Sequence, residues 1–172
     1  MYAQTERLLL KPMEAADGAR LFPLFSDPAI WWYAPEQRHR VEAQTTDYAT
    51  RAANRWDTDG LSYWVAWLLD SPQQLVGTGG VQRRDDGTWN LNYRISPDFQ
   101  RKGFASELGR TAISSAQTHD PTSAVLAWID EPNRQSIATA KALGMRRLGT
   151  RLDKIDGRFR VVFADRNNDE RT

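Results

Sequence analysis

The segment QRKGFA, residues 100–105, has the residue types that bind phosphate groups through backbone amides. It lies between the alternating run TWNLNYRIS (88–96) and a run whose apolar residues recur every three or four positions from Phe104. The first amides of a helix lack intrahelical partners, and the helix dipole favours an anion there. Gly103 would let a ligand approach the backbone, and Arg101 and Lys102 would add positive charge. The alternative interpretation is an ordinary helix start with a solvated basic turn.

A second segment, VLAWIDEPNRQSIATAKALGM (125–145), has the same strand-then-helix character. Its apolar strand breaks at a proline, and the helix that follows has Asn133 as a good N-cap and Gly144 as a good residue after its end. An asparagine at this point can serve as a cap, as a ligand-binding group, or as both.

Composition limits the kinds of chemistry that the chain can perform. No cysteine is present, which excludes disulfides, thiolate catalysis and cysteine-type zinc sites. The two histidines, His39 and His119, stand alone in the sequence and are interpreted as solvated, so no metal site is predicted. A formal charge of +1 gives no broad basic surface for nucleic acid. No apolar run approaches the length of a membrane span, and the leucines before Lys11 are too few for a signal segment, so we expect a cytoplasmic protein.

The elements that must position these segments follow from hydrophobic periodicity. Strand patterns cover 5–12, 61–69, 74–82, 88–96, 123–129 and the two runs 146–154 and 158–164. Helical patterns cover 13–28, 41–56, the stretch after Gly103, and 133–143, with Pro23 expected to distort or end the first. The order is β-α-α-β-β-β-α-β-α-β-β. Short polar turns join the three middle strands, which predicts an antiparallel meander.

The predicted fold is therefore α+β (mixed α/β), with one central, twisted, largely antiparallel sheet of about seven strands and about four flanking helices. With 172 residues and no linker-like segment, the chain is most simply one domain. We predict that this domain covers 1–165 and that 166–172 form a disordered tail.

Together the two segments resemble the GNAT superfamily of acyl-coenzyme A-dependent N-acetyltransferases. QRKGFA is similar to its Q/R-x-x-G-x-G/A pyrophosphate loop, and NRQSIATAKALGM is similar to its N-x-x-S/A helix that ends in leucine-glycine. TERLLLKPMEAAD and FSDPAIWWYAPE resemble the RimJ/RimL-type branch. The resemblance covers nearly the whole chain in the expected order.

The resemblance implies a binding site for acetyl-CoA. Backbone amides of the loop would hold the pyrophosphate, the strand from Tyr93 to Ile95 would pair with the pantetheine arm, and an amide there would polarise the acetyl carbonyl. Asn133 would hydrogen-bond the pantetheine. The implied cofactor-binding residues are Tyr93, Ile95, Gln100, Arg101, Lys102, Gly103, Phe104, Ala105, Ser106 and Asn133.

The implied catalytic groups are less completely specified. Many family members place a tyrosine seven residues after the asparagine, as the acid for the coenzyme A thiolate, but this chain has Ala140 there. The branch offers Ser136 instead, one turn past Asn133. Glu131, with its neighbour Asp130, is the candidate general base, and an ordered water chain or a loop pair without a catalytic role are the alternatives.

For the site of the acceptor amine, the resemblance implies aromatic residues. The family places the loop AIWWYAPEQ over the acceptor cavity, where Trp31, Trp32 and Tyr33 would suit a cationic or aromatic amine, with Trp128 as a further wall. Packing of these rings in the core is the alternative.

The sequence is compatible with two functions. One is transfer of an acetyl group from acetyl-CoA to a primary amine, either a protein N-terminus or a small molecule, by direct attack. The other is an acyl-CoA-binding regulatory module without efficient turnover, which the missing tyrosine favours. The predicted partners are acetyl-CoA and an amine acceptor, without nucleic acid or membrane, and homodimer formation is left open.

Overall fold

One eight-stranded sheet forms the centre of the fold in the computed structural model, which describes residues 1–166. Its strands are β1 (Ala3–Gln4), β2 (Leu8–Pro12), β3 (Tyr63–Leu68), β4 (Leu75–Arg83), β5 (Trp89–Ile95), β6 (Val125–Ile129), β7 (Arg146–Asp153) and β8 (Arg158–Ala164). Their spatial order is β1-β2-β3-β4-β5-β6-β8-β7, and β5 and β6 alone are parallel neighbours among these strands. The predicted α+β fold is confirmed. Strand β1, which pairs Ala3 with Leu10, was not among the seven predicted strands.

Within residues 1–166, four α-helices cover the two faces of the sheet: α1 (Gly18–Ser26), α2 (Glu42–Asp59), α3 (Phe104–His119) and α4 (Arg134–Ala142). Leu108 of α3 belongs to a core cluster that contains Trp64. Phe25 of α1 and Ala49 of α2 belong to a second cluster that contains Trp67. Trp64 and Trp67 therefore point to opposite faces of β3, as their spacing predicts.

Helix α1 corrects the predicted helix bounds of 13–28, and of the two predicted effects of Pro23 it does not show the helix end. A 3-10 turn at Ala15–Asp17 precedes α1, which then runs past Pro23 without ending there. Pro23 has no N–H for the carbonyl four residues earlier, so the helix lacks one hydrogen bond. Leu21 and Phe25 are fully buried, and their packing keeps the helix intact despite that loss.

The two parallel strands diverge soon after they meet. Trp89 and Asn90 of β5 pair with Val125 and Leu126 of β6, and these are the only pairs between the two strands in the described chain. Farther along, β5 stays paired with β4, and β6 stays paired with β8. A gap therefore opens between β5 and β6 in the middle of the sheet.

The described residues end at Arg166, the first residue of the predicted tail. Of the predicted disordered tail, 166–172, only Arg166 is described, and the other residues lie outside the described part of the chain. No helix within residues 1–166 is long and apolar enough to cross a membrane.

Candidate active site

The loop between β5 and α3 has a backbone shape that suits an anion. Arg101 and Gly103 have φ values of +58° and +84°, so both lie in the left-handed region. Backbone curled in this way can turn successive amides towards one side. The α3 ladder begins with the bond from the Glu107 amide to the Gly103 carbonyl, at 3.0 Å. The amides of residues 104–106 precede that bond and have no partner within the helix.

Two side chains, Gln100 and Arg7, stabilise this loop through hydrogen bonds to backbone carbonyls. Gln100 Nε2 donates to the carbonyl of Ile95, at 3.1 Å, which ties the loop to the end of β5. Arg7 Nη1 donates to the carbonyl of Lys102, at 2.9 Å, while its Nη2 lies 2.6 Å from Oε2 of Glu107. The Arg7 guanidinium also lies 4.3 Å from the centre of the Phe104 ring. Arg7, which the sequence did not identify as a site residue, therefore fixes the loop against the start of α3.

A first cavity, of about 380 Å³, opens where β5 passes into this loop. Nine of the ten predicted cofactor residues line it: Tyr93, Ile95, Gln100, Arg101, Gly103, Phe104, Ala105, Ser106 and Asn133. The tenth, Lys102, is exposed, and its Nζ lies 5.6 Å from the centre of the Phe99 ring. Its carbonyl, rather than its side chain, belongs to the loop structure.

The hydrogen-bond directions along β5 show which backbone groups face the gap. The Trp89 amide donates to Ala124 on the β6 side, and the Ser96 amide donates to Val76 on the β4 side. Because N–H groups alternate direction along a strand, the odd-numbered residues point their N–H and C=O groups towards β6. The amides of Tyr93 and Ile95 therefore point into the gap, beyond the last β5–β6 pair.

A second cavity, of about 240 Å³, adjoins the first through shared wall residues. Both cavities are lined by Tyr33, Tyr93, Arg94, Asn133 and Ser136. The second cavity also has a polar wall made by Gln37, Arg84, Asn90, Asn92, Trp128, Asp130, Asp153, Asp156 and Arg160. Three buried atoms of this wall, Asn90 Oδ1, Arg94 Nη1 and Trp128 Nε1, have no hydrogen-bond partner in the described structure. Unpartnered buried polar atoms are uncommon, and a ligand can satisfy them.

Carboxylates of the β7–β8 hairpin are held by arginines in this wall. Asp153 lies 2.8 Å from Arg84 Nη2 and 2.7 Å from Arg160 Nη1, and Asp156 lies 2.6 Å from Arg160 Nη2. Burial alone would raise the pKa of Asp153, but the hydrogen bond from Arg84 and the charges of Arg84 and Arg160 hold that pKa below its ordinary value. These carboxylates are ionised, and their charges are balanced within the wall.

The predicted base Glu131 is not brought to either cavity. Its side chain is exposed, and it is absent from both cavity walls. Asp130 does line the second cavity, but its Oδ1 lies 2.9 Å from Arg158 Nη2 and 3.5 Å from Arg160 Nε. Both contacts of this carboxylate are therefore with arginine side chains. Neither residue enters the proposed mechanism as a base.

The first turn of α4 brings three polar groups together. Asn133 Oδ1 accepts a hydrogen bond from the Ser136 amide, at 3.1 Å, as an N-cap does. The Tyr93 hydroxyl donates to the Ser136 carbonyl, at 3.2 Å, and burial raises the pKa of Tyr93 to about 12. Ala140, where many relatives have the acidic tyrosine, is fully buried in the core. Three of the residues that line both cavities therefore have a hydroxyl group: Tyr33, Tyr93 and Ser136.

The predicted aromatic residues divide between core and cavity. Trp32 is exposed and lines the first cavity, Tyr33 lines both cavities, and Trp128 lines the second. Trp31 is buried, its Nε1 donates to the Phe25 carbonyl at 2.6 Å, and it lines neither cavity. The prediction that Trp31 contacts the acceptor is therefore corrected, because its ring packs in the core of the α1–α2 face.

Sequence reasoning missed the polar wall of the second cavity. One signal was available, since Asn90, Asn92 and Arg94 alternate with apolar residues and therefore share one face of β5. Arg84 and Asp153 gave no signal, because they are 69 residues apart and meet only in the fold. Among residues 1–166, no group of three or more His, Cys, Asp or Glu side chains could hold a metal ion.

The gap and the loop together point to one family, and the comparison of sequences decides it. The sequence profile of the acetyltransferase (GNAT) domain matches residues 7–146. The chain belongs to the GNAT acetyltransferase family. It is an acyltransferase, and its match includes both the loop before α3 and the helix that follows Asn133.

Relatives and solved structures agree with this assignment. The uncharacterized N-acetyltransferase p20 of Bacillus licheniformis is 26% identical over 163 residues, which are 92% of this chain and 91% of that protein. The acetyltransferase from Agrobacterium tumefaciens has a TM-score of 0.82 at 16% identity, covering 97% of this chain and 95% of that one. RimL, a ribosomal L7/L12 alpha-N-protein acetyltransferase solved with coenzyme A, has a TM-score of 0.76 at 11% identity, covering 95% and 97%. The structural likeness shows the fold that this chain shares with these proteins.

Proposed function

We propose that this GNAT protein transfers an acetyl group from acetyl-CoA to a primary amine by direct attack. The observation that carries the proposal is the opening between β5 and β6, with the amides of Tyr93 and Ile95 pointing into it and the left-handed loop at Arg101 and Gly103 directly after it. The arrangement supports the proposal because a loop suited to an anion, a pair of backbone donors and the second cavity adjoin one another through shared wall residues.

The donor substrate is proposed to occupy the first cavity. The amides of residues 101–106 would bind its pyrophosphate, because the loop conformation and the free N–H groups at the start of α3 both favour an anion. The pantetheine arm would take the place of the missing strand partner beside Tyr93 and Ile95. One of those amides would then donate to the acetyl oxygen and stabilise the negative charge that develops on it during attack.

Transfer then requires one new bond, one broken bond and two proton movements. The amine nitrogen attacks the acetyl carbon, the carbon–sulfur bond breaks, and the coenzyme A thiolate leaves. In our proposal the thiolate takes a proton from the Ser136 hydroxyl, which recovers one from the water that has accepted the proton of the amine, since Ser136 lines both cavities. The amine loses its proton to water, because the cavity carboxylates are engaged by arginines.

The amine can belong to a protein N-terminus, as the name of RimL says of that protein, or to a small molecule. Tyr33, Trp32 and Trp128 are the aromatic residues that we propose as walls for it. A cytoplasmic location and a homodimer stay predictions.

A coupled assay tests this proposal. Purified protein is incubated with acetyl-CoA and a panel of amines that contains peptide N-termini and small amines, coenzyme A thiol is measured with a chromogenic reagent, and acetylated products are identified by mass spectrometry. We expect amine-dependent thiol release with a product that has gained one acetyl group. Binding of acetyl-CoA in calorimetry without transfer to any amine would refute the catalytic proposal.

That same outcome would support the second candidate, an acyl-CoA-binding regulatory module. The observation that favours it is Ala140, which removes the usual tyrosine acid. The hydroxyls of Ser136 and Tyr93 near the cavity junction favour turnover instead.

A further inference from the structure

Arg94 is a cationic side chain of the second cavity that has no counter-ion among residues 1–166. Its guanidinium lies 4.2 Å from the centre of the Trp31 ring and 4.7 Å from that of Phe25. Its Nη1 is buried and has no hydrogen-bond partner, and no carboxylate of residues 1–166 forms an ion pair with it. Aromatic faces attract a cation but do not neutralise it, so the positive charge remains available to a ligand.

Tyrosine and histidine side chains next to Arg94 are uncharged at neutral pH, and the further charge that acts on them is that of Arg51, which is also positive. Burial raises the pKa of Tyr48, which lies against the guanidinium, and burial together with Arg94 lowers the pKa of His39. Burial likewise raises the pKa of Tyr63 far above its ordinary value. These residues belong to α2, β3 and the loop between α1 and α2, so none of these elements contributes a carboxylate to the surroundings of Arg94 through them.

The carboxylates of the same cavity are already paired with other arginines. Asp153 and Asp156 are held by Arg160, and Asp130 is held by Arg158. The wall therefore has balanced ion pairs on the hairpin side and an unbalanced cation on the β5 side. Arg94 is half-buried and its Nη1 is shielded from water, so an anion that enters here with the acceptor would be favoured.

From this imbalance we propose that Arg94 selects an acceptor amine that also carries an oxyanion group, a carboxylate or a phosphate. The inference rests on the proposed function and specifies its substrate class. A simple ammonium ion would be repelled by Arg94, whereas an amine with its own anion brings a partner for the guanidinium. The planar guanidinium can bind either oxyanion through two parallel hydrogen bonds. The location of Arg94 in both cavity walls puts this contact beside the gap where attack occurs.

Matched pairs of acceptors test the proposal on the wild-type protein. The pairs are β-alanine with β-alaninamide, O-phosphoethanolamine with ethanolamine, and the peptide amides Gly-Glu with Gly-Gln. The first two pairs distinguish carboxylate from phosphate, and the third tests an anion presented by a peptide. In at least one pair we expect kcat/KM for the anionic member to be higher by at least about tenfold, the size of effect that charge-assisted hydrogen bonds produce. Equal values within all three pairs would overturn the proposal.

Variants of Arg94 assign the preference to this side chain. Arg94→Met should remove the preference, while Arg94→Lys should retain part of it, because lysine keeps the charge without the planar fork. Arg20→Met is the matched control, since Arg20 also lies over a tryptophan, at 5.3 Å from the Trp67 ring, but lines neither cavity. A preference that survives in a folded Arg94→Met protein would overturn the proposal, because the contact of Arg94 with Trp31 would then be only structural. If Arg94→Met fails to fold, the wild-type pairs and Arg94→Lys decide.

A binding experiment separates this inference from the proposed function. Calorimetry with the same pairs is carried out in the presence of coenzyme A, which cannot transfer an acetyl group, so affinity is measured without turnover. If no amine is ever acetylated but the anionic members bind more tightly in an Arg94-dependent way, the proposed function fails and the selectivity stands. If transfer occurs without anion preference in rate or affinity, the selectivity fails and the proposed function stands.

Discussion

Replacement of Gly103 tests the coenzyme A loop at the residue where its backbone is most restrictive. A side chain at its φ of +84° costs about 1–2 kcal/mol, because the Cβ of an L-residue crowds the following carbonyl in the left-handed region. A Cβ there would also lie 3.4 Å from Nη2 of Arg7, the side chain that holds the Lys102 carbonyl. Gly103→Val should relieve this strain by moving the loop amides, and we expect the acetyl-CoA Kd to rise at least about tenfold, or about 1.4 kcal/mol.

Gly144 provides a control with the same backbone cost at another place. Its φ is +75°, a Cβ there would meet no atom within 4 Å, and it lines neither cavity. Gly144→Val should therefore lower the thermal unfolding midpoint about as much as Gly103→Val does. Its acetyl-CoA Kd, measured by calorimetry, should equal that of the wild type. Wild-type affinity in Gly103→Val, or an equal loss of affinity in both variants, would refute the assignment of this loop to the cofactor.

Three further predictions concern residues around the same site. Arg7→Met should weaken acetyl-CoA binding several-fold in calorimetry, because the Lys102 carbonyl and Glu107 lose their common partner, and an unchanged Kd would mean that the loop holds its shape alone. Ser136→Ala should lower kcat with little change in acetyl-CoA affinity, since an acid acts in the transition state, and an unchanged kcat would transfer the role to water or to the Tyr93 hydroxyl. Burial and the charges of Arg94 and Arg51 lower the pKa of His39, so its stabilising effect is complete above about pH 6.5 and is lost as the pH falls through the lowered value. The thermal midpoint of the wild type should consequently fall more steeply below about pH 6.5 than that of His39→Gln, and parallel curves would contradict this.

The meander could be predicted closely because its signals are local. Alternation and turn residues predicted strands at 61–69, 74–82 and 88–96, and the structure has Tyr63–Leu68, Leu75–Arg83 and Trp89–Ile95. Strand β1 was missed because two residues cannot show a period, and its pairing depends on β2. The insertion of β8 between β6 and β7 gave no signal either, because strand order in a sheet is set by contacts between distant segments.

The two cavities also differ in how far local sequence signals predict their lining residues. The loop after β5 is one continuous segment, so a motif and a helix start were enough to identify six of the residues that line the first cavity: Gln100, Arg101, Gly103, Phe104, Ala105 and Ser106. The second cavity is assembled from the β4–β5 turn, β5, β6, the start of α4, the β7–β8 hairpin and the loop after α1, and one of its ion pairs joins Arg84 to Asp153, 69 residues away. Glu131 was chosen as a base from its place after a strand, but the chain turns it outwards while its neighbour Asp130 faces the arginines.

The polar face of β5 contains information that periodicity alone does not reveal. Polar residues that alternate along a strand normally indicate a face open to water. Here helices cover both faces of the sheet, so Asn90, Asn92 and Arg94 must face an internal space, and the second cavity is that space. The odd residues of the same strand pack against α3 and point their amides into the gap. In the proposed function one strand would offer backbone donors to the acetyl group and side chains to the acceptor, so we expect a change of side chain at Arg94 to alter acceptor choice while the amides of Tyr93 and Ile95 keep their positions.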